Sequence, residues 1–123
     1  ENIREFDTEN DIVVMVYGGI SDKLKNTLSD LGLKIVPVSK IPVQQDLNFK
    51  HQPNELDAKC YRSKLRALQL VAYERIMFVD IDLLFKQDVQ EFFHRKDFTI
   101  GRGYDAPMNA GFFVAKPSYQ AFT

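Results

Sequence analysis

Residues Arg75 to Phe85 read R-I-M-F-V-D-I-D-L-L-F. Four apolar residues, Ile76 to Val79, run into Asp80 and Asp82, and a second apolar run, Leu83 to Phe85, follows. Flanked by charge, such a run predicts a buried strand in a mainly parallel sheet. The two acids then stand where the strand ends. In α/β proteins the carboxyl ends of the strands face the crevice that binds ligands, so paired carboxylates there point to a ligand. If the backbone stays extended, strand alternation puts Asp80 and Asp82 on one side of the sheet. Like charges that close repel unless a cation or a shared proton relieves them. Mg2+ and Mn2+ favour oxygen ligands and bind through one or two carboxylates plus substrate phosphates, so a divalent ion is the simplest partner.

The rest of the chain sets bounds on that reading. Its 123 residues are the size of one domain, and folding at that length buries roughly two thirds of the unfolded surface. With 45% hydrophobic and 27% charged residues it has the composition of a globular protein and not of a disordered one. A net charge of −1, from 16 basic and 17 acidic residues, argues against a general nucleic-acid or membrane-surface footprint, so any anion site is local. Cys60 stands alone, which excludes an intramolecular disulfide and a cysteine metal cluster. No apolar stretch approaches the roughly 20 residues of a membrane helix, and no signal peptide is visible. The chain opens without Met and closes in a segment that reads as the start of a helix, so both ends read as cuts.

In chain order, a polar, acidic opening of 11 residues precedes a β-branched run, Ile12 to Val16, that predicts a buried strand ended by Gly18-Gly19. Ser21 is a good N-cap, and Leu24, Leu28 and Leu31 fall at helical spacing before Gly32 closes the helix. Leu33 to Val38 then returns as a strand. This β-α-β spacing suits a crossover between parallel neighbours and places the chain in the α/β class. From Ser39 to Asp57 no period is sustained, and a structureless segment of that length is usually functional or mobile, which places it near a binding cleft.

Ala58 to Tyr73 predicts the best helix. Tyr61, Leu65, Leu68 and Ala72 mark one face, and Lys59, Arg62, Ser63, Arg66 and Gln69 gather on the other. Lys64 falls on the flank of the apolar stripe, where it either snorkels outward or reaches an anionic partner. After the central strand, Asp88 to Phe93 predicts a short helix, Phe98 to Arg102 a strand, and Phe112 to Ala115 a buried strand preceded by Pro107-Met108-Asn109-Ala110-Gly111. Pro117 and Ser118 look like a helix start. Asn109 offers both a donor and an acceptor to a polar partner, against a plain reading as a turn or cap residue.

The helix with Lys64, then Y-E-R-I-M-F-V-D-I-D-L-L-F, then D-V-Q-E-F-F, then M-N-A-G-F-F-V-A-K-P-S together resemble the glycogenin-type (family 8) retaining glycosyltransferases, in order and spacing throughout residues 12 to 118. The resemblance implies a GT-A-like fold, Rossmann-like with flanking helices, of which residues 1 to 123 are a single partial domain. It implies Asp80 and Asp82 as Mn2+ (or Mg2+) ligands, and a nucleotide-sugar site built from Lys64, Asp80, Ile81, Asp82 and Asn109. Lys64 is then a diphosphate or sugar contact and Asn109 a sugar contact, both part of the catalytic set. The implied reaction moves a hexose from a UDP-sugar to a carbohydrate or protein hydroxyl, with retention. The family includes cytoplasmic members and members of the Golgi lumen.

The departures limit what this chain does alone. Nothing before Ile12 resembles the family's opening strand, whose Thr or Asn and Tyr bind the base. The family's third metal ligand, a histidine from well after the acidic pair, has no counterpart, since His51 lies in the long loop and His94 on a surface-like helix. The expectation is weak or absent turnover, and self-association through exposed sheet edges, as a homodimer or an aggregate. Two rival readings stand beside it. One is a non-catalytic module derived from the same fold, whose acids merely cap a strand. The other is a metal-dependent phosphohydrolase of the haloacid-dehalogenase type, which Leu83-Leu84 after the second acid disfavours.

Overall fold

A computed structural model describes residues 2–41, 62–95, 98–104 and 107–122. The long loop read from Ser39 onward, with His51, and the start of the helix read from Ala58 lie largely or wholly outside them. The chain divides into two compact units, Asp11–Arg66 and Glu1–Asn10 with Ala67–Thr123.

In the first unit, β1 (Val13–Tyr17) pairs in parallel with β2 (Lys34–Val38), in register from Val13 opposite Lys34 to Tyr17 opposite Val38. Between them runs helix α2 (Asp22–Asp30). Ser21 Oγ accepts the Leu24 N–H and caps the helix as its sequence predicts. At the other end Gly32 takes φ 71°, and its N–H and that of Leu33 donate back to Ser29 and Leu28 carbonyls, at 2.9 and 3.0 Å. That pair of bonds is the glycine-ended cap that a side chain at this φ would strain. The parallel pair and its helix establish the α/β class. The leucine face of α2 differs from expectation: Leu28 is half-buried, while Leu24 and Leu31 are exposed.

The second unit is a three-stranded sheet in the order β3-β5-β4, from β3 (Ile76–Val79), β4 (Phe98–Gly101) and β5 (Asn109–Ala115). The apolar run at Ile76–Val79 is the strand its composition predicts, but its neighbour β5 is antiparallel. A central antiparallel strand holds the core: Phe113 is 2% exposed and Val114 fully buried. Phe113 stacks on Phe78 at 5.1 Å and on Phe98 at 6.0 Å, while Phe112 meets Phe85 and Phe92 edge-on. Successive residues of β5 thus anchor opposite faces, as strand alternation requires.

Helix α1 (Asn2–Phe6) forms where the sequence reads only as a polar lead. The Asn2 carboxamide accepts the Phe85 N–H at 2.7 Å and donates to its carbonyl at 3.1 Å, as a neighbouring strand would. The helix read to Tyr73 is shorter and tighter. Arg62 and Ser63 are helical, Lys64–Gln69 is a 3-10 segment, and turns follow, with Leu70 N–H bonded to Ala67 and Tyr73 to Leu70. Three residues per turn bring i and i+3 into line, so Lys64 stands in one row with buried Ala67 and not on the flank of a 3.6-residue helix. The tight turn also presents the Leu68 carbonyl to the Ser118 N–H at 2.9 Å. Gln90–His94 is likewise a 3-10 segment, and α3 (Tyr119–Phe122) follows Ser118, whose Oγ accepts the Gln120 N–H.

Candidate active site

The acidic pair sits where β3 stops. Beyond Val79 the chain does not stay extended: the Leu83 N–H donates to the Asp80 carbonyl at 3.2 Å, closing a turn over Asp80 to Leu83. Strand alternation therefore does not align Asp80 with Asp82, as an extended backbone would. Asp82 is carried on that turn, exposed, beside a fully exposed Ile81, while Asp80 is half-buried.

Antiparallel pairing decides what Asp80 meets. Phe78 stands opposite Phe113 and Val79 opposite Phe112, so the next pair is Asp80 and Gly111, joined by the Asp80 N–H to the Gly111 carbonyl at 2.8 Å. In a regular ladder the Gly111 N–H would return the bond to Asp80. It donates instead to Asn109 Oδ1 at 2.8 Å, while the Asp80 carbonyl takes Leu83. A side chain two residues away thus ends the ladder, the competition that Asn residues commonly offer a backbone.

On its other side β5 loses register with β4. Ile100 faces Phe113, and the next residue, Gly101, faces Asn109, so the β5 segment from Ala110 to Phe112 bulges. Bulges re-aim side chains at sheet ends and often adjoin active sites. Here a Cβ placed on Gly111 would lie 3.0 Å from Asn109 Oδ1 and 3.1 Å from Asp80 Oδ2. The carboxylate and the carboxamide therefore meet over a bare Cα, on the same face as the Phe78–Phe113 stack.

The structure brings Asp80 and Asn109 together, with Asp82 on the adjoining turn. Lys64 is half-buried and belongs to the Asp11–Arg66 unit, so the site geometry rests on Asp80, Asp82 and Asn109. Gly111 is the site residue that sequence reading left unassigned. Its signal was a glycine two residues after an asparagine and directly before an apolar run, where a strand glycine marks a close approach or a bulge. The donor set fits a hard divalent cation in part: two carboxylates are present, and the cradle over Gly111 holds one of them beside a neutral polar group. Among the described residues no group of three or more His, Cys, Asp or Glu gathers as a metal cage, and His94 lies exposed.

The chain is thus an α/β chain with an acidic turn at the carboxyl end of an apolar strand, and comparison with known proteins relates it to glycosyltransferases. The chain is 29% identical over 130 residues to glycogenin of Komagataella phaffii, a match covering 98% of the chain and 32% of that protein. It is 22% identical over 125 residues to inositol phosphorylceramide glucuronosyltransferase 1 of Arabidopsis thaliana, covering 99% of the chain and 22% of that protein. It is also 26% identical over 117 residues to UDP-glucuronate:xylan alpha-glucuronosyltransferase 1 of the same plant, covering 95% of the chain and 17% of that protein. No protein-family model matches. These matches relate the chain, over nearly its whole length, to glycosyltransferases of the glycogenin-like kind, and it spans between 17% and 32% of the length of these three relatives.

Proposed function

We propose that this chain is the central part of a metal-dependent glycosyltransferase domain, residues 1 to 123 forming one piece of it, that passes a hexose from a UDP-sugar to a carbohydrate or protein hydroxyl with retention of configuration. The observation that carries this reading is the meeting of Asp80 and Asn109 over Gly111, at the carboxyl end of β3. Asp80 and Asp82 would hold Mn2+ or Mg2+, which, when bound, offsets the charge that grows on a departing diphosphate. Asp80 is half-buried and its backbone is bonded to β5 at the strand end, so its carboxylate starts from a fixed Cα. Asn109, locked to the Gly111 N–H, contacts the sugar as a neutral hydrogen-bonding group. Lys64 adds a positive charge for the diphosphate, and Ile81 joins the nucleotide side of the site between the two acids.

The chain alone is then a weak or silent catalyst, because its sequence holds no counterpart of the family's base-binding opening strand or third metal ligand. Calorimetric titration of UDP into the chain with Mn2+ tests the site, repeated on Asp82→Asn. Binding that needs Mn2+ and weakens at least tenfold in the variant supports it. Equal binding by the variant removes Asp82 from the metal site, and no binding by the wild-type chain rejects a working diphosphate site here.

A further inference from the structure

Gly111 is buried, yet its φ is not positive, so no left-handed backbone requires glycine there. What requires it is space. The atoms that a Cβ would crowd, at 3.0 and 3.1 Å, are the ends of two side chains and not backbone. A methyl group at this position would therefore make the Asn109 and Asp80 side chains give by a few tenths of an ångström before it disturbed the sheet. Gly101, on the neighbouring strand, is unlike it: a Cβ there meets its nearest atoms at 3.5 Å or more, ordinary contact.

The Gly111 amide has a second effect. A carboxamide can turn either end toward a neighbour, and an N–H can only be met by its oxygen. With Asn109 Oδ1 held at 2.8 Å by Gly111, the amino end of Asn109 is turned away from the backbone, and it makes no hydrogen bond among the described residues. Beside it stands a carboxylate that only accepts.

We infer that Gly111 is the positioning residue of this site: its bare Cα admits Asp80 and Asn109 together, and its N–H fixes Asn109 as a hydrogen-bond donor toward an oxygen of the bound ligand. The inference rests on the glycosyltransferase reading for the ligand, but its geometry belongs to the free chain. A donor and a carboxylate side by side suit an oxygen-rich ligand, since a hydroxyl accepts from Asn109 and donates to Asp80.

The test is Gly111→Ala in the full chain, with Gly101→Ala as control, read by thermal midpoint, by the Asn109 side-chain amide resonances without ligand, and by Mn2+ affinity from electron paramagnetic resonance. The expected result is a Gly111→Ala midpoint close to wild type, displaced Asn109 side-chain resonances, and Mn2+ affinity down about tenfold, the size of a displaced ligand-supporting contact. Gly101→Ala should match wild type in both site readouts. Asn109 resonances and Mn2+ affinity unchanged in Gly111→Ala would overturn the inference. If the wild-type chain binds neither Mn2+ nor UDP, the functional reading fails and the resonance arm alone still decides the positioning. If Gly111→Ala does not fold, Asn109→Ala is read at the Gly111 backbone amide. Faster hydrogen exchange and an upfield shift there support the fixed orientation, and an unchanged amide rejects it.

Discussion

Asp80 and Asn109 were legible as chemistry before they were legible as neighbours. An acid after an apolar run and an amide before one are sequence facts, but 29 positions separate them, and only the β3–β5 register makes them adjacent. Gly111 was the least legible, because its role is the absence of a side chain where two others meet. The same scale shows a pH-sensitive residue away from the site. Burial works to raise the Asp7 pKa, but the Asn10 backbone and side-chain donors, the Glu9 N–H and the Arg4 charge outweigh it, and the carboxyl titrates below its usual 3.8. A depressed carboxyl pKa contributes stability that is present above the unfolded value and lost as pH falls through the folded one. Protection of the Asn10 amide from hydrogen exchange should therefore hold above about pH 3.8 and decline below it. In Asp7→Asn that step should vanish, and its persistence would mean another group controls the loop.

Elements were predicted best where a local signal closed them. The Ser21 cap and Gly32 end α2 as read, and β1, β2 and β4 fall within a residue or so of expectation, because caps, β-branched runs and glycines act through neighbours in sequence. The helix read through Lys64 went differently. Its apolar residues, spaced four, three and four apart, fit 3.6 residues per turn, so the local pattern asks for an α-helix; the structure has a 3-10 segment there, whose Leu68 carbonyl is bonded to the distant Ser118 N–H. Strand β5 carries the sheet of its unit, since both neighbours pair with it and Phe113 stacks on each. Phe113→Ala should cost about 3–5 kcal/mol, the usual penalty for emptying a buried aromatic site. Chemical denaturation of the variant should show the early loss of that unit, and a midpoint within error of wild type would mean the stack contributes little.

At the scale of the whole molecule, few of the described residues are fully buried and several large apolar side chains among them face solvent, including Leu31, Ile81, Leu84 and Met108. Exposed apolar surface of this kind favours association. Sedimentation velocity across a concentration series should show a monomer giving way to dimers or larger species, with little response to salt. A monomer at every concentration would reject the expectation of self-association. No helix among the described residues is long and apolar enough to cross a membrane. The sequence by itself determined the α/β class, the acidic strand end and the kinship with glycogenin-like glycosyltransferases, because hydrophobic runs, caps and motif spacing are local properties of the chain. Only the tertiary structure decided that β3 pairs antiparallel with β5, that the acidic pair lies on a turn, and that Asp80 meets Asn109 over Gly111. Those outcomes depend on strand partners and register, which are settled by the burial of Phe113 and Val114 and the stacking of Phe78 on Phe113 across long sequence separations and are written in no single stretch of residues.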